Sequence, residues 1–313
     1  MKVSVCITTF NEEKTINKLL VSLIKQTKKA DEVVVVDSDS SDLTLQLIEG
    51  YRNKLRNLKI ITKKCSRAEG RNIAVKNARN EVIAMTDAGC VLDRNWVKGI
   101  TEPFKSKSVD IVAGFYQMKG NSPFQKAISC FLGVKSEDFN EDFLPSTRSI
   151  AFKRGSWKRV GGFDKNLNDT AEDTVFNFKA VKKNLKIVRV KNALVYWILP
   201  DNLLDTMKKF YSYAKGDAKS KIFWHPTKKF RSHNIKVLLV FLRYFIFALI
   251  LLLGFSSPFL FLLLIILLFL YFLYSFYKVY KRFREIRVGV WGVVIQFFCD
   301  LSVMMGFLSG IIS

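Results

Sequence analysis

The sequence predicts an α/β domain with a mostly parallel central sheet, followed by an all-α transmembrane region. Three observations lead there. Short β-rich apolar runs alternate with stretches whose apolar residues recur at helical spacing. These runs end abruptly in acids, hydroxyls and small residues, as strands do at a sheet rim. Near residue 234 a chain dense in charge gives way to long apolar runs, each sufficient for the roughly 20 residues that a membrane crossing needs.

The first strand is Lys2 to Thr9, followed by Phe10-Asn11-Glu12-Glu13 and a helix with Ile16, Leu19, Leu20, Leu23 and Ile24 on one face. The second, Glu32 to Val36, ends in Asp37-Ser38-Asp39-Ser40-Ser41-Asp42, an acidic turn that also caps a helix carrying Leu43, Leu47 and Ile48. The third, Leu58 to Ile61, precedes Arg67-Ala68-Glu69-Gly70-Arg71-Asn72 and a helix from about Ile73 to Ala78. The fourth runs from Glu81 to Asp87. Strand–helix units with short connections imply right-handed crossovers and a parallel sheet, which gathers the strand ends on one edge. Asp87, followed by Ala88 and Gly89, is there either a helix N-cap or the anchor of a divalent cation and a diphosphate. No G-x-G-x-x-G or G-x-x-x-x-G-K-[ST] loop occurs, which disfavours dinucleotide and P-loop chemistry.

Later in the chain, Leu185 to Val190 reads as a strand. Asn202 to Trp224 reads as an amphipathic helix with lysines at 208, 209, 215, 219 and 221, lying on the bilayer or packed on the catalytic domain, and a mixture with the basic face against headgroups is expected. The expected organisation is a catalytic domain at 1–200, a membrane-interface segment at 201–234 and a transmembrane region at 235–313 of about three helices, 236–255, 258–277 and 289–312. Arg243 and Asp300 are costly at membrane depth and are expected to face protein, headgroups or a substrate path. Lys278, Lys281, Arg282, Arg284 and Arg287 put the connection after the second span on the cytoplasmic side, and with it the catalytic domain. No signal peptide precedes the charged N-terminal portion, which agrees with its cytoplasmic placement, and the apolar runs lead us to expect a multi-pass protein of the cell membrane.

The formal net charge is +23, and before residue 235 the chain carries 43 basic against 25 acidic residues. Nucleic acid suits such a surplus, but the apolar runs favour an anionic membrane surface, worth roughly 1 kcal/mol per nearby basic residue, and a polyanionic substrate. We therefore expect no nucleic-acid partner. Five scattered cysteines without a C-x-x-C pair fit a reduced cytosolic domain and argue against zinc or a disulfide frame.

The succession Thr8-Thr9-Phe10-Asn11-Glu12-Glu13, Val35-Val36-Asp37-Ser38-Asp39-Ser40-Ser41-Asp42, Gly70-Arg71-Asn72, Thr86-Asp87-Ala88-Gly89, Gly161-Gly162-Phe163-Asp164 and Glu172-Asp173 resembles the family 2 glycosyltransferases with the A-type (GT-A-like) nucleotide-sugar fold. The resemblance covers residues 1 to about 220. It implies that Phe10, Glu12 and Asp37 hold the nucleotide, with Asp39 a weaker candidate, and that Arg71 lies beside the diphosphate. It assigns Asp87 to a magnesium or manganese ion, although the usual Asp-x-Asp is shortened here to Asp87-Ala88-Gly89. It makes Asp173 the base for an acceptor hydroxyl, and it places the donor sugar near Arg148 and Ser149. The expected reaction is inverting transfer from a nucleotide-diphosphate sugar, UDP-sugar favoured, to a membrane-associated acceptor, lipid-linked or polysaccharide. A Q-x-x-R-W element, carried by processive synthases, does not occur, so transfer of one or a few sugars is expected. A polyprenyl-phosphate sugar synthase and a non-catalytic nucleotide- or lipid-binding membrane adaptor are the competing readings.

Overall fold

The computed structural model describes residues 1–167, 170–226 and 232–312. It forms two compact units, Met1–Met118 with Val134–Ile198, and Lys119–Gly133 with Leu199–Ser313.

The first unit is built on a mixed sheet. Strands β1 (Val3–Thr9), β2 (Glu32–Asp37), β3 (Leu58–Thr62) and β4 (Val82–Asp87) are parallel and lie in the order β3-β2-β1-β4. Beyond β4 come β7 (Ile150–Lys153), β6 (Ile111–Lys119), β8 (Ile187–Ile198) and β5 (Cys90–Leu92). There the pairs β4–β7, β6–β7 and β5–β8 are antiparallel. The four valines of β2 are all buried, as a strand covered on both faces requires. Helices α1 (Ile16–Ile24), α2 (Thr44–Glu49), α3 (Arg67–Asn77) and α4 (Trp96–Thr101) connect the strands, with Leu19 and Leu20 of α1 and Trp96 of α4 fully buried.

Two elements of this unit are longer than their local pattern predicts. Helix α3 starts at Arg67 instead of Ile73, because Ser66 caps it by accepting from the Glu69 backbone N–H. Gly-Arg-Asn is therefore helical. Strand β8 runs to Ile198 because its second half pairs with β5, Cys90 opposite Trp197 and Leu92 opposite Val195. A tertiary partner extends a strand that propensity alone ends at Val190.

Helices α6 (Arg154–Val160) and α7 (Glu172–Lys182) complete this unit. Phe163 stacks on Phe176 of α7 at 4.7 Å between ring centroids, and Phe152 of β7 meets Phe176 at 5.5 Å. This aromatic cluster fixes the start of α7 against the sheet.

The second unit consists of α5 (Pro123–Leu132), α8 (Leu203–Ser220), α9 (His233–Gly254), α10 (Pro258–Phe283) and α11 (Ile286–Ile312). Its inclusion of Lys119–Gly133 differs from a boundary at residue 200, because α5 packs on α11 through Phe124 and Trp291, with ring centroids 5.0 Å apart. Helices α9, α10 and α11 are all long and apolar enough to cross a membrane. Helix α10 extends to Phe283, so Lys278, Lys281 and Arg282 lie in its last turns and not in a loop. Arg243 and Asp300 pair with each other through Arg243 Nη2 and Asp300 Oδ2.

Candidate active site

Register places the predicted carboxylates on one edge. Thr9 of β1 pairs with Asp37, and Thr8 with Asp87, so the two acids flank β1 and lie about 10 Å apart, two strand spacings. The chain beyond Asp87 turns through Ala88-Gly89 into β5. Asp87 is thus no helix cap, and one of its two sequence readings is removed.

The loops after β1 and β2 are knitted together. Asn11, at φ +52°, donates its N–H to Ser40 Oγ and accepts from Ser41 N–H on Oδ1, both at 2.9 Å. Glu12 donates its backbone N–H to Thr44 Oγ1 at 2.7 Å, and its carboxylate accepts from Thr15 Oγ1. Asp37 is fully buried, with Oδ1 accepting from Ser40 Oγ at 2.6 Å and Oδ2 from Ser40 N–H at 2.8 Å. Its carboxylate holds the turn. Asp39 is exposed in the left-handed region at φ +70°, and Phe10 stands 57% exposed at the tip of the β1 loop.

Gly-Arg-Asn reaches across the unit. A Cβ at Gly70 would come within 3.2 Å of Thr8 Cγ2, so glycine lets α3 lie close on the sheet. The Arg71 side chain, 2% exposed, donates from Nη2 to Asp87 Oδ1 at 2.8 Å and from Nη1 to Glu172 Oε1. Asn72 donates from Nδ2 to the Phe163 carbonyl at 2.8 Å and accepts the Phe163 N–H on Oδ1 at 2.9 Å. Gly162 adopts φ +75°, and a Cβ there would sit 2.9 Å from Asn72 Oδ1. Three consecutive residues therefore tie the Asp87 strand end to Gly-Gly-Phe-Asp and Glu-Asp, about 90 to 100 residues away.

The electrostatics follow from this arrangement. Desolvation would raise the Asp87 carboxyl, but Arg71, Arg148 and Arg67 outweigh it and hold the group below the usual carboxylate range. Burial lowers the Arg71 guanidinium against the opposing pull of Asp87.

Asp173 opens α7 directly after Glu172. Its Oδ1 accepts from Thr174 N–H at 2.8 Å and its Oδ2 from Thr147 N–H at 3.4 Å. The preceding Ala171 is left-handed at φ +72°, a costly conformation for alanine, held here at the helix entry. Arg148, one residue beyond Thr147, donates to Ser146 Oγ at 2.9 Å. Its guanidinium lies 3.8 Å from the Trp197 ring centroid and 5.2 Å from that of Tyr116. Ser149 is fully buried, accepting from Trp96 Nε1 and donating to the Ala193 carbonyl, both at 2.9 Å. Its hydroxyl is spent on core partners.

Three residues were not singled out from sequence as site residues: Glu172, which shares Arg71 with Asp87, and Tyr116 and Trp197, which hold Arg148. The Cys90–Trp197 register is what brings Trp197 here, and a Cβ at Gly89 would lie 4.0 Å from both Trp197 Nε1 and Glu12 Oε2. Among the described residues no group of three or more His, Cys, Asp or Glu gathers as a metal cage. The chemistry of the donor set still fits a hard cation of the magnesium type, which takes one or two carboxylates and completes its shell with phosphate oxygens and water. Arg71 occupies Asp87 Oδ1 and leaves a carboxylate that is 27% exposed with Oδ2 available.

Residues 4–158 match the model of Glycosyl transferase family 2, and residues 82–276 that of Glycosyl transferase family group 2. The chain belongs to the family 2 glycosyltransferases. Staphylococcus aureus TarS, a poly(ribitol-phosphate) β-N-acetylglucosaminyltransferase, is 39% identical over 125 residues, 38% of this chain and 21% of TarS. The chain thus spans about a fifth of that relative's length in this alignment. A crystal structure of TarS 1–349 in complex with UDP-GlcNAc superimposes with a TM-score of 0.54 at 26% identity, covering 71% of this chain and 68% of the other. A Methanococcus voltae enzyme, dolichyl N-acetyl-α-D-glucosaminyl phosphate 3-β-D-2,3-diacetamido-2,3-dideoxy-β-D-glucuronosyltransferase, is 24% identical over 244 residues, 68% of this chain and 73% of that one. In fold, the chain resembles the Pyrobaculum calidifontis mannosyltransferase PcManGT, solved with GDP-Man and Mn2+, at a TM-score of 0.65 and 17% identity over 94% of this chain and 86% of that one. The GT-A-like architecture predicted from the strand-end motifs is the one observed.

Proposed function

We propose that the chain is a membrane-anchored, inverting glycosyltransferase that moves one sugar from a nucleotide-diphosphate donor, UDP-linked, to a hydroxyl of a membrane-associated, lipid-linked or polysaccharide acceptor. The observation that carries this reading is the convergence of Asp87, Arg71, Arg148 and the first turn of α7 on one sheet edge, with Asp173 at the start of that turn. The UDP-GlcNAc complex of TarS supports a uridine donor, and the dolichyl-linked substrate named for the Methanococcus voltae relative supports a lipid-linked acceptor.

In this reading Phe10 lies against the nucleotide base, and Glu12 and Asp37 shape the nucleotide pocket, with Asp39 at its rim. Arg148, held between Tyr116 and Trp197, offers a fixed positive charge toward the donor. Arg71 acts by orienting Asp87 and Glu172, since both its terminal nitrogens are engaged. A divalent cation, magnesium or manganese, would be held by Asp87 and would neutralise diphosphate charge. Asp173 accepts the proton of the acceptor hydroxyl as that oxygen attacks the anomeric carbon from the face opposite the leaving nucleotide, which inverts the centre. Helices α9 and α10 anchor the chain in the membrane with the catalytic unit on the cytoplasmic side.

The test joins donor binding to transfer. A thermal-shift panel of nucleoside diphosphates with Mg2+ or Mn2+ should single out UDP, and labelled sugar from the matching donor should appear in a membrane-extractable product. Asp173→Asn should keep the UDP shift and lose transfer by about 100-fold or more. Wild-type turnover in Asp173→Asn would remove the assignment of the base.

A further inference from the structure

We infer that α11 is not a third membrane span: it lies in the plane of the membrane surface on the side that carries the catalytic unit, and the chain crosses the bilayer twice. The inference rests on the membrane reading of α9 and α10 proposed above.

A helix running through the bilayer beside that hairpin changes depth along its length. Between Gly289 and Phe307 the change would be about 27 Å. The packing of α11 shows no such change. At its first half, a Cβ at Gly292 would come within 2.7 Å of Val279 Cγ2, and Gly289 faces the Phe276 ring. Val279 lies about 6 Å along the axis from the C-terminal end of α10. At its second half, Phe307 clusters with Val237, and its ring centroid lies 6.0 Å from that of Phe241. Phe241 lies about 12 Å along the axis from the start of α9. The start of α9 and the end of α10 are the open end of one hairpin, whose closed end is marked by Gly254 against Phe261. Both halves of α11 therefore meet the hairpin in the same half of its depth, and the helix crosses it transversely.

The second observation is the partner on the other side of α11. Glycines at 306 and 310 lie against the backbone carbonyls of Tyr211 and Lys215 of α8, where a Cβ would collide. Ala214 and Ala218 of α8 pack on Phe307. Helix α8 precedes the first span and carries Lys208, Lys209, Lys215 and Lys219, residues that cost roughly 3 kcal/mol each at the bilayer centre. It cannot follow α11 through the membrane. The residue just before α11 is held as well, Lys126 of α5 pairing with Glu285 at 2.6 Å.

Third, α11 is two-faced in its packing. Val288, Gly292, Ile295, Cys299, Ser302 and Gly306 form the buried face. Ile286, Val290, Phe297, Met305, Leu308 and Ile312 form an exposed apolar stripe at helical spacing, from 38% exposed at Phe297 to 86% at Ile312. The occupant of that stripe is the acyl–headgroup boundary of the adjacent leaflet, because α11 packs on a hairpin whose own exposed apolar side chains face lipid in this reading. The crossing also accounts for the polar residues of the apolar segments. Asp300, at the middle of α11, accepts from Arg243 of α9, from the Tyr271 hydroxyl of α10 at 2.7 Å and from Gln296 at 2.9 Å. One carboxylate ties the transverse helix to both arms.

The test uses the full chain in intact cells with a membrane-impermeant maleimide. One variant carries Phe255→Cys at the closed end of the hairpin; another carries a cysteine on a short Gly-Ser tail after Ser313. Phe255→Cys should label in intact cells, whereas the tail cysteine should label only after permeabilisation. Labelling of both in intact cells overturns the in-plane placement while leaving the hairpin standing. If Phe255→Cys labels only after permeabilisation, the hairpin does not cross, and the membrane reading fails together with the inference.

Discussion

Replacing Arg71 by methionine tests the central bridge. The guanidinium is 2% exposed, and of its two partners Glu172 is 4% and Asp87 27% exposed. Without Arg71, Asp87 can recruit water and costs little. Glu172 cannot, and stranding a buried carboxylate costs about 3–5 kcal/mol. At about 2–4 °C per kcal/mol for a domain of 150–250 residues, the melting temperature should fall by about 6–20 °C. Intrinsic fluorescence of the detergent-solubilised chain, heated at a fixed scan rate, measures it. The double variant Arg71→Met/Glu172→Gln removes the stranded charge and should recover more than half of the loss. A single variant melting within about 2 °C of wild type would refute the bridge, as would a double variant that recovers nothing.

Gly162→Ala, forced to φ +75° and against Asn72 Oδ1, should cost about 1–3 kcal/mol, read as a drop in melting temperature. Gly161→Ala, at φ +93° with nothing within 4 Å of its Cβ, should cost less. Trp197→Leu removes the ring over Arg148, and a cation–π contact of about 0.5–2 kcal/mol predicts a fall of about 2- to 30-fold in donor kcat/KM, together with a lower melting temperature because the ring is buried. Because Asp87 has a lowered pKa in the fold, its contribution to stability is complete above the unfolded value of 3.8 and is lost as pH falls through the lower folded value. Acid unfolding followed by fluorescence should therefore show Asp87→Asn less pH-dependent than wild type below about pH 4.

The sequence alone placed the strand ends. β-rich runs broken by Phe10-Asn11-Glu12, Asp37 to Asp42 and Asp87, with short connections between them, leave a parallel sheet as the economical arrangement, and parallel strands must end on one edge. Length and apolarity marked α9, α10 and α11 as membrane-associated in the same way, because a helix long enough to cross and poor in charge is a local property. What local pattern does not carry is where a side chain spends its hydrogen bonds. Arg71 is engaged by acids 16 and 101 residues away, Ser149 by Trp96 and Ala193 inside the core, and Arg148 lies against a tryptophan that arrives only because β8 pairs with β5. The same holds for α11, which reads by composition like its two predecessors. Its glycines face α8 and α10 and its Asp300 meets Arg243, contacts set by tertiary packing between distant segments and absent from any window of the sequence.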